Sequence, residues 1–159
     1  MIRADDAPVL LEIKKLEVLA TRFGIGYLRR THSDSICPLQ CEALLLLSRN
    51  GGSMGQKELE CRMVVRKSTL SSILDTMERN GMIERTTPDE DRRRRTVVLT
   101  AKGGDECERA SSELRDMESV ALEGVSPEDL DAFFRVSERM RTNMQCSDYR
   151  DDICPSEKV

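Results

Sequence analysis

The stretch spanning residues 66–100, RKSTLSSILDTMERNGMIERTTPDEDRRRRTVVLT, constrains the fold more than any other part of the chain. It opens as a helix, because Leu70, Ile73, Leu74 and Met77 recur at three- and four-residue spacing and form one apolar stripe. The opposite face begins with Arg66, Lys67, Ser68, Thr69, Ser71 and Ser72, all cationic or hydroxyl-bearing. Gly81 ends the helix, since glycine takes the left-handed C′ conformation without a Cβ penalty. Two short strand-like runs follow, 82–85 and 96–99. The turn between them carries Pro88, three acids (Asp89, Glu90, Asp91) and four consecutive arginines, Arg92 to Arg95. A donor-rich helix followed by an arginine-tipped hairpin suits a groove-reading helix with a wing that reaches phosphates or the minor groove.

The flanks read as helices. Asp5 or Asp6 followed by Pro8 is a helix start, and Leu10, Ile13, Leu16, Ala20, Phe23 and Tyr27 form a stripe running to about Arg30. Residues 31–37 read as a loop containing the lone histidine, His32, a solvated residue. Pro38 opens a second helix with Leu39, Ala43, Leu44, Leu46 and Leu47 as its core face, ended by Asn50-Gly51-Gly52. Gln56 to about Arg62 is a short third helix, and residues 63–65 turn into the stretch described above. Thr100 is positioned to cap a fifth helix with Cys107, Ala110, Leu114, Met117 and Ala121 along one seam. Ser126 caps a sixth, with Pro127 at its first position, and this helix presents Leu130, Phe133, Phe134, Val136, Met140 and Met144.

The expected architecture is mainly α with a small two-stranded β wing: a winged helix-turn-helix between N- and C-terminal dimerisation helices. Its divisions are 1–36 (dimerisation helix and loop), 37–100 (winged lobe), 101–146 (dimerisation helices) and 147–159 (a polar tail). Hydrophobic residues make up 38% of the chain and aromatics 3%, too few for the flanking helices to close a large core alone, so they pair with a second copy. Charge supports the division. Residues 53–102 hold eleven Lys/Arg against eight Asp/Glu, whereas the whole chain carries −4. A basic segment inside an acidic chain is the footprint of a DNA-reading lobe. No run approaches the roughly 18 apolar residues of a membrane span, and no secretory signal opens the chain. A cytoplasmic protein is expected, with no membrane partner.

At this point the sequence resembles the MarR (multiple antibiotic resistance regulator) family of transcription factors over about residues 13–144. The carriers are Pro38-x-Gln40, Gln56-Lys57-Glu58-Leu59, and Lys67-Ser68-Thr69-Leu70-Ser71. They continue through Leu74-Asp75-x-Met77-Glu78-x-x-Gly81-Met82-Ile83-Glu84-Arg85, Pro88-x-x-Asp91-Arg92-Arg93, and Val98-Leu99-Thr100-x-Lys102-Gly103. The resemblance implies a homodimer on a pseudo-palindromic operator in double-stranded DNA, with the fourth helix in the major groove and the wing at the minor groove. It implies repression relieved by a small, often aromatic, effector or an oxidant. It also makes Asp91 the acid that braces a wing arginine and Arg92 the arginine at the minor groove. The chain departs from the family in three places. Arg66 stands where an acid or hydroxyl often opens helix four, Ser72 where many members have arginine, and Cys41 where an aromatic often follows the helix-two glutamine.

The DNA-contacting set is thus Gln56, Arg66, Lys67, Ser68, Thr69, Ser71, Ser72, Arg92, Arg93 and Arg94. Arg66 and Lys67 suit guanine edges or phosphates, while the short hydroxyls suit backbone positioning. Asp89, Glu90 and Asp91 can pair with at most three of the four wing arginines, which leaves cationic capacity for a partner. The six cysteines are expected to be reduced, with Cys107 in the core and Cys37 and Cys41 at a helix start as the redox candidates. Cys146 and Cys154 are placed to pair across a dimer. No cofactor and no metal are expected, since one histidine and no paired CxxC make a poor zinc set. No nucleophile elbow or phosphate-cradling glycine pattern supports an enzyme. The alternatives are a thiol-based redox regulator of the same fold and a winged helix that binds protein instead of DNA.

Overall fold

The computed structural model describes residues 8–30, 37–86 and 95–145. The chain divides into two units, Met1–Ser35 and Ile36–Val159. The first holds α1 (Val9–Arg30), none of whose residues is buried. Leu10, Leu16 and Leu19 of this helix are 56–62% exposed. The expected start at Asp5 or Asp6 and the loop with His32 lie outside the described residues.

The second unit runs α2 (Pro38–Arg49), β1 (Ser53–Gly55), α3 (Gln56–Met63), α4 (Lys67–Arg79), β2 (Ile83–Thr86), β3 (Thr96–Leu99), α5 (Ala101–Ala121) and α6 (Pro127–Gln145). Helix α2 packs against α3, α4 and α5. Its buried face, Ala43, Leu44 and Leu47, meets Leu59 and Met63 of α3, Leu70, Leu74 and Met77 of α4, and Cys107 of α5 in one core. Burying a leucine or methionine contributes roughly 1.5–3 kcal/mol, so this cluster is what holds the short helices in place. Leu46 and Leu39, expected inside, are only partly buried against it. Gln40 is buried instead, because its Oε1 accepts the Cys37 N–H at 3.0 Å and ties down the start of α2.

The sheet adds a third strand to the expected two-stranded wing. It has three antiparallel strands in the order β1-β3-β2, with Met54 opposite Val97 and Arg85 also opposite Val97 on the other side. Gly51 and Gly52, with φ of 71° and 85°, reverse the chain after α2 and deliver residues 53–55 to the edge of β3. Three residues are too few for an alternation signal, so only long-range pairing reveals this strand. Leu99 N–H donates to Gly52 O at 2.7 Å and Gln56 N–H to Arg95 O at 2.8 Å, closing the sheet at both ends.

Thr100 caps α5 as its position implies, accepting the Gly103 N–H at 3.0 Å, and Ser126 caps α6, accepting the Asp129 N–H at 3.1 Å. Along α5 the seam is buried at Cys107 and Ala110, half-buried at Leu114 and Met117, and open at Ala121. Helix α6 buries nothing: Phe133, Phe134 and Val136 are 52–61% exposed.

The tightest approach in the lobe is at Gly103. A Cβ there would lie 2.0 Å from Met82 O and 2.9 Å from Leu99 Cδ1. Gly103→Ala should therefore cost about 1–3 kcal/mol, as overpacking against a backbone carbonyl does. Urea unfolding of this variant beside Gly104→Ala, where nothing lies within 4 Å, checks it; equal midpoints would refute the close-packing account.

Candidate nucleic-acid interface

Helix α4 is the most strongly two-faced helix of the lobe. Leu70, Ile73, Leu74 and Met77 are buried, while Arg66, Lys67, Ser68, Thr69 and Ser72 are exposed and Ser71 is half-buried. The helix is held at both ends. At its start, the turn after α3 passes through Val64 in the left-handed region (φ 52°), an uncommon conformation for a β-branched residue, before Arg66 takes up extended geometry as the N-cap. The Arg66 side chain makes no capping hydrogen bond to α4, and the Arg66 carbonyl accepts the Leu70 N–H at 3.0 Å.

At its end, Gly81 adopts φ 70°. Gly81 N–H donates to Glu78 O at 2.9 Å and Met82 N–H to Met77 O at 2.9 Å, a Schellman closure. The carbonyls just beyond are satisfied by the next helix. Lys102 Nζ donates to Asn80 O at 2.8 Å, and the Thr100 hydroxyl lies 2.7 Å from Gly81 O and 3.0 Å from Met82 O. A cation at a helix C-terminus also complements the macrodipole.

The sequence reading overlooked the connection between α4 and the wing. Arg85 of β2 donates from Nε to Glu78 Oε2 at 2.9 Å and from Nη2 to Asp75 Oδ1 at 2.6 Å, while its backbone N–H donates to Glu78 Oε1 at 3.2 Å. The Arg85 hydrogen bonds hold the Glu78 carboxyl below the usual glutamate range. The signal was present: acids three apart on the helix, Asp75 and Glu78, with an arginine seven residues after the second.

Of the other expected contacts, Gln56 differs. It is half-buried, and its Oε1 is enclosed without a hydrogen-bond partner among the described residues, so that oxygen is not presented at the surface. The reason is that Gln56 opens α3 where β1 and β3 close the sheet, and the helix start faces the sheet at that point. Asp91, Arg92, Arg93 and Arg94 lie outside the described residues. Arg95, expected to enter the strand, lies just before β3 and is exposed.

Cys37 is exposed, Cys41 half-buried and Cys107 buried, all as free thiols. Burial pushes the Cys41 thiol up, and the neighbouring Cys107, Glu113, Glu42 and Cys37 add to that direction. Cys61 on α3 is disulfide-bonded, which corrects the expectation of six reduced thiols; sequence spacing does not show which sulfurs a fold brings within bonding distance. No group of three or more His, Cys, Asp or Glu among the described residues is arranged to hold a metal ion. No helix is long and apolar enough to cross a membrane among those residues.

Residues 36–94 match the family model for the MarR family. No curated protein matches the sequence. Among solved structures, the chain is similar to a MarR-family transcriptional regulator from Silicibacter pomeroyi (21% identity, 93% of this chain and 99% of that one, TM-score 0.72). It is similar also to a mutant MarR from E. coli complexed with operator DNA (20%, 86% and 96%, TM-score 0.71). The PcaV transcriptional regulator from Streptomyces coelicolor, in complex with its natural ligand, is a third (19%, 89% and 96%, TM-score 0.72). At these identities the likeness establishes the fold, a mainly helical winged helix-turn-helix with a small antiparallel sheet.

The Arg85 brace sets a pH dependence. A carboxylate whose folded pKa is depressed contributes stability that is present above its unfolded value and is lost as pH falls through the folded value. Glu78→Gln should be less stable than the parent at neutral pH. The gap should close as pH falls from about 4.3, the ordinary glutamate value, through the lower folded one. Thermal unfolding across that range checks this, and a gap that stays constant with pH would reject the linkage.

Proposed function

With residues 36–94 carrying the match to the MarR family, we propose that the chain is a DNA-binding transcriptional regulator, without catalytic activity, that works as a homodimeric repressor in the cytoplasm. The observation that carries the reading is the exposed cationic and hydroxyl face of α4, Arg66 to Ser72, on the second helix of a helix-turn-helix whose other face is the core. Such a helix is the reading element of the motif, and its arginine and lysine supply bidentate or phosphate contacts. In this reading Arg92, Arg93 and Arg94 add DNA contacts and the family resemblance makes Asp91 the bracing acid, all four lying outside the described residues.

Dimerisation is supported by apolar surface that the chain leaves uncovered. Leu10, Leu16 and Leu19 on α1 and Phe133, Phe134 and Val136 on α6 are each more than half exposed. Large apolar side chains exposed together on one helix suit an interface with a second copy. A twofold dimer sets two copies of α4 on half-sites about one helical turn, roughly 10 bp, apart. The effector in this reading is a small aromatic molecule that releases the dimer from DNA. A redox role for Cys41 is disfavoured by its raised thiol, because the thiolate is the reactive form.

Selection of random duplex DNA by the purified protein, followed by sequencing, should recover an inverted repeat with half-sites one turn apart. No enrichment by a well-folded dimer would turn the reading towards a protein-interaction module. On the recovered operator, Arg92→Ala should weaken binding and reduce the slope of log affinity against log salt by about one, with the dimer intact. An unchanged affinity would remove the wing from the mechanism. Peroxide should leave operator affinity unaltered; a loss that dithiothreitol reverses and Cys37→Ser abolishes would establish the redox alternative instead.

A further inference from the structure

The polar face of α4 does not end at Ser72. Asp75, one turn further on and two turns from Ser68, continues it with a carboxylate that is 53% exposed, and Glu78 follows at its margin, 39% exposed. A face that approaches a polyanion carries two anions on its C-terminal half. The cation beside them is Arg85, which comes from β2 and not from the helix. Its side chain is only 18% exposed, and its Nη2 is shared between Asp75 Oδ1 and Glu78 Oε2.

Building on the DNA-binding reading, we propose that Arg85 is a positioning residue for DNA recognition. It neutralises the Asp75 carboxylate on the recognition face and fixes that face relative to the wing strand. Two features of the geometry support this. The guanidinium spans two carboxylates a helical turn apart, so one β2 residue fixes both position and charge along α4. The Glu78 carboxylate grips Arg85 three times, at the backbone N–H, at Nε and at Nη2, so the strand cannot slide along the helix without breaking these bonds. Charge-assisted bonds of this sort are the strong class, and the fork of a guanidinium fits two oxygens as an ammonium does not. Without Arg85, Asp75 and Glu78 would face the phosphates as unscreened like charge.

The test is a double-mutant cycle on DNA affinity with Arg85→Gln, Asp75→Asn and the two combined, measured across salt concentrations on the recovered operator. Arg85→Gln should weaken binding about tenfold, in line with one half-buried unit of charge lost near a phosphate-lined groove. Adding Asp75→Asn should restore at least half of that loss on a logarithmic scale, although the brace is still absent. Asp75→Asn alone should stay within about twofold of the parent, since Arg85 already neutralises that carboxylate. A purely structural brace predicts no rescue. A double variant as weak as Arg85→Gln, an Arg85→Gln variant that binds like the parent, or Asp75→Asn alone tightening binding as much as it does beside Arg85→Gln would each overturn the proposal. Should Arg85→Gln fail to fold, as judged by its melting curve, the Asp75→Asn arm decides alone: about fivefold or greater tightening rejects neutralisation by Arg85, and unchanged affinity upholds it. A parent protein that retains no duplex at all rejects the DNA-binding reading itself, which separates the two failures.

Discussion

The joint between the end of α4 and the start of α5 is the constraint on which the lobe depends. In one small volume Gly81 reverses the backbone, Met82 N–H closes onto Met77 O, Thr100 reaches the Gly81 and Met82 carbonyls while capping α5, and Lys102 covers Asn80 O. Gly103 allows the approach, because no Cβ stands between α5 and the Met82 carbonyl. The outcome is that the Met77, Glu78 and Asn80 carbonyls at the end of one helix and the Gly103 amide at the start of the next are satisfied together. A helix meant to meet a partner with one whole face exposed has few ways to be held. Here its C-terminus is locked to α5, and its apolar face is locked to α2 through Leu44, Leu70 and Leu74.

Electrostatics divides the same helix along its length. The N-terminal half is cationic and hydroxyl-rich, uncapped, and directed outward. The C-terminal half is acidic and tied by Arg85 to β2. Strand β2 is thus a charge partner of α4 as well as a member of the sheet. Favourable charge pairs at exposed sites are weak in themselves; their weight here comes from the half-buried guanidinium and its several simultaneous hydrogen bonds.

Much of this was legible in particular residues. The apolar stripe of α4, the Gly81 stop, the Thr100 and Ser126 caps and the exposed surface of α1 and α6 all follow from local periodicity and cap chemistry, which need no knowledge of distant contacts. The features that were missed are those that local patterns do not encode. Strand β1 is three residues long and exists because β3 has a free edge beside it. Gln40 reads as a polar interruption of the α2 stripe, yet it is buried by its bond to Cys37 N–H. Gln56 reads as a surface contact, yet the sheet encloses its carbonyl oxygen. Arg85 reads as one more charge in a charged chain until β2 folds back along α4.

By itself the sequence determined which faces are apolar, where helices begin and end, and that a cationic helix precedes an arginine-rich turn, because these depend on residues a few positions apart. The tertiary structure alone decided which charges neutralise one another, which edge completes the sheet, and which glycine must stay a glycine. Those depend on groups brought together from distant points in the chain: Asp75 with Arg85, Gly52 with Leu99, Met82 with Gly103. Such pairings are set by the packing of α2, α4 and α5 around one core, and no local spacing carries that information.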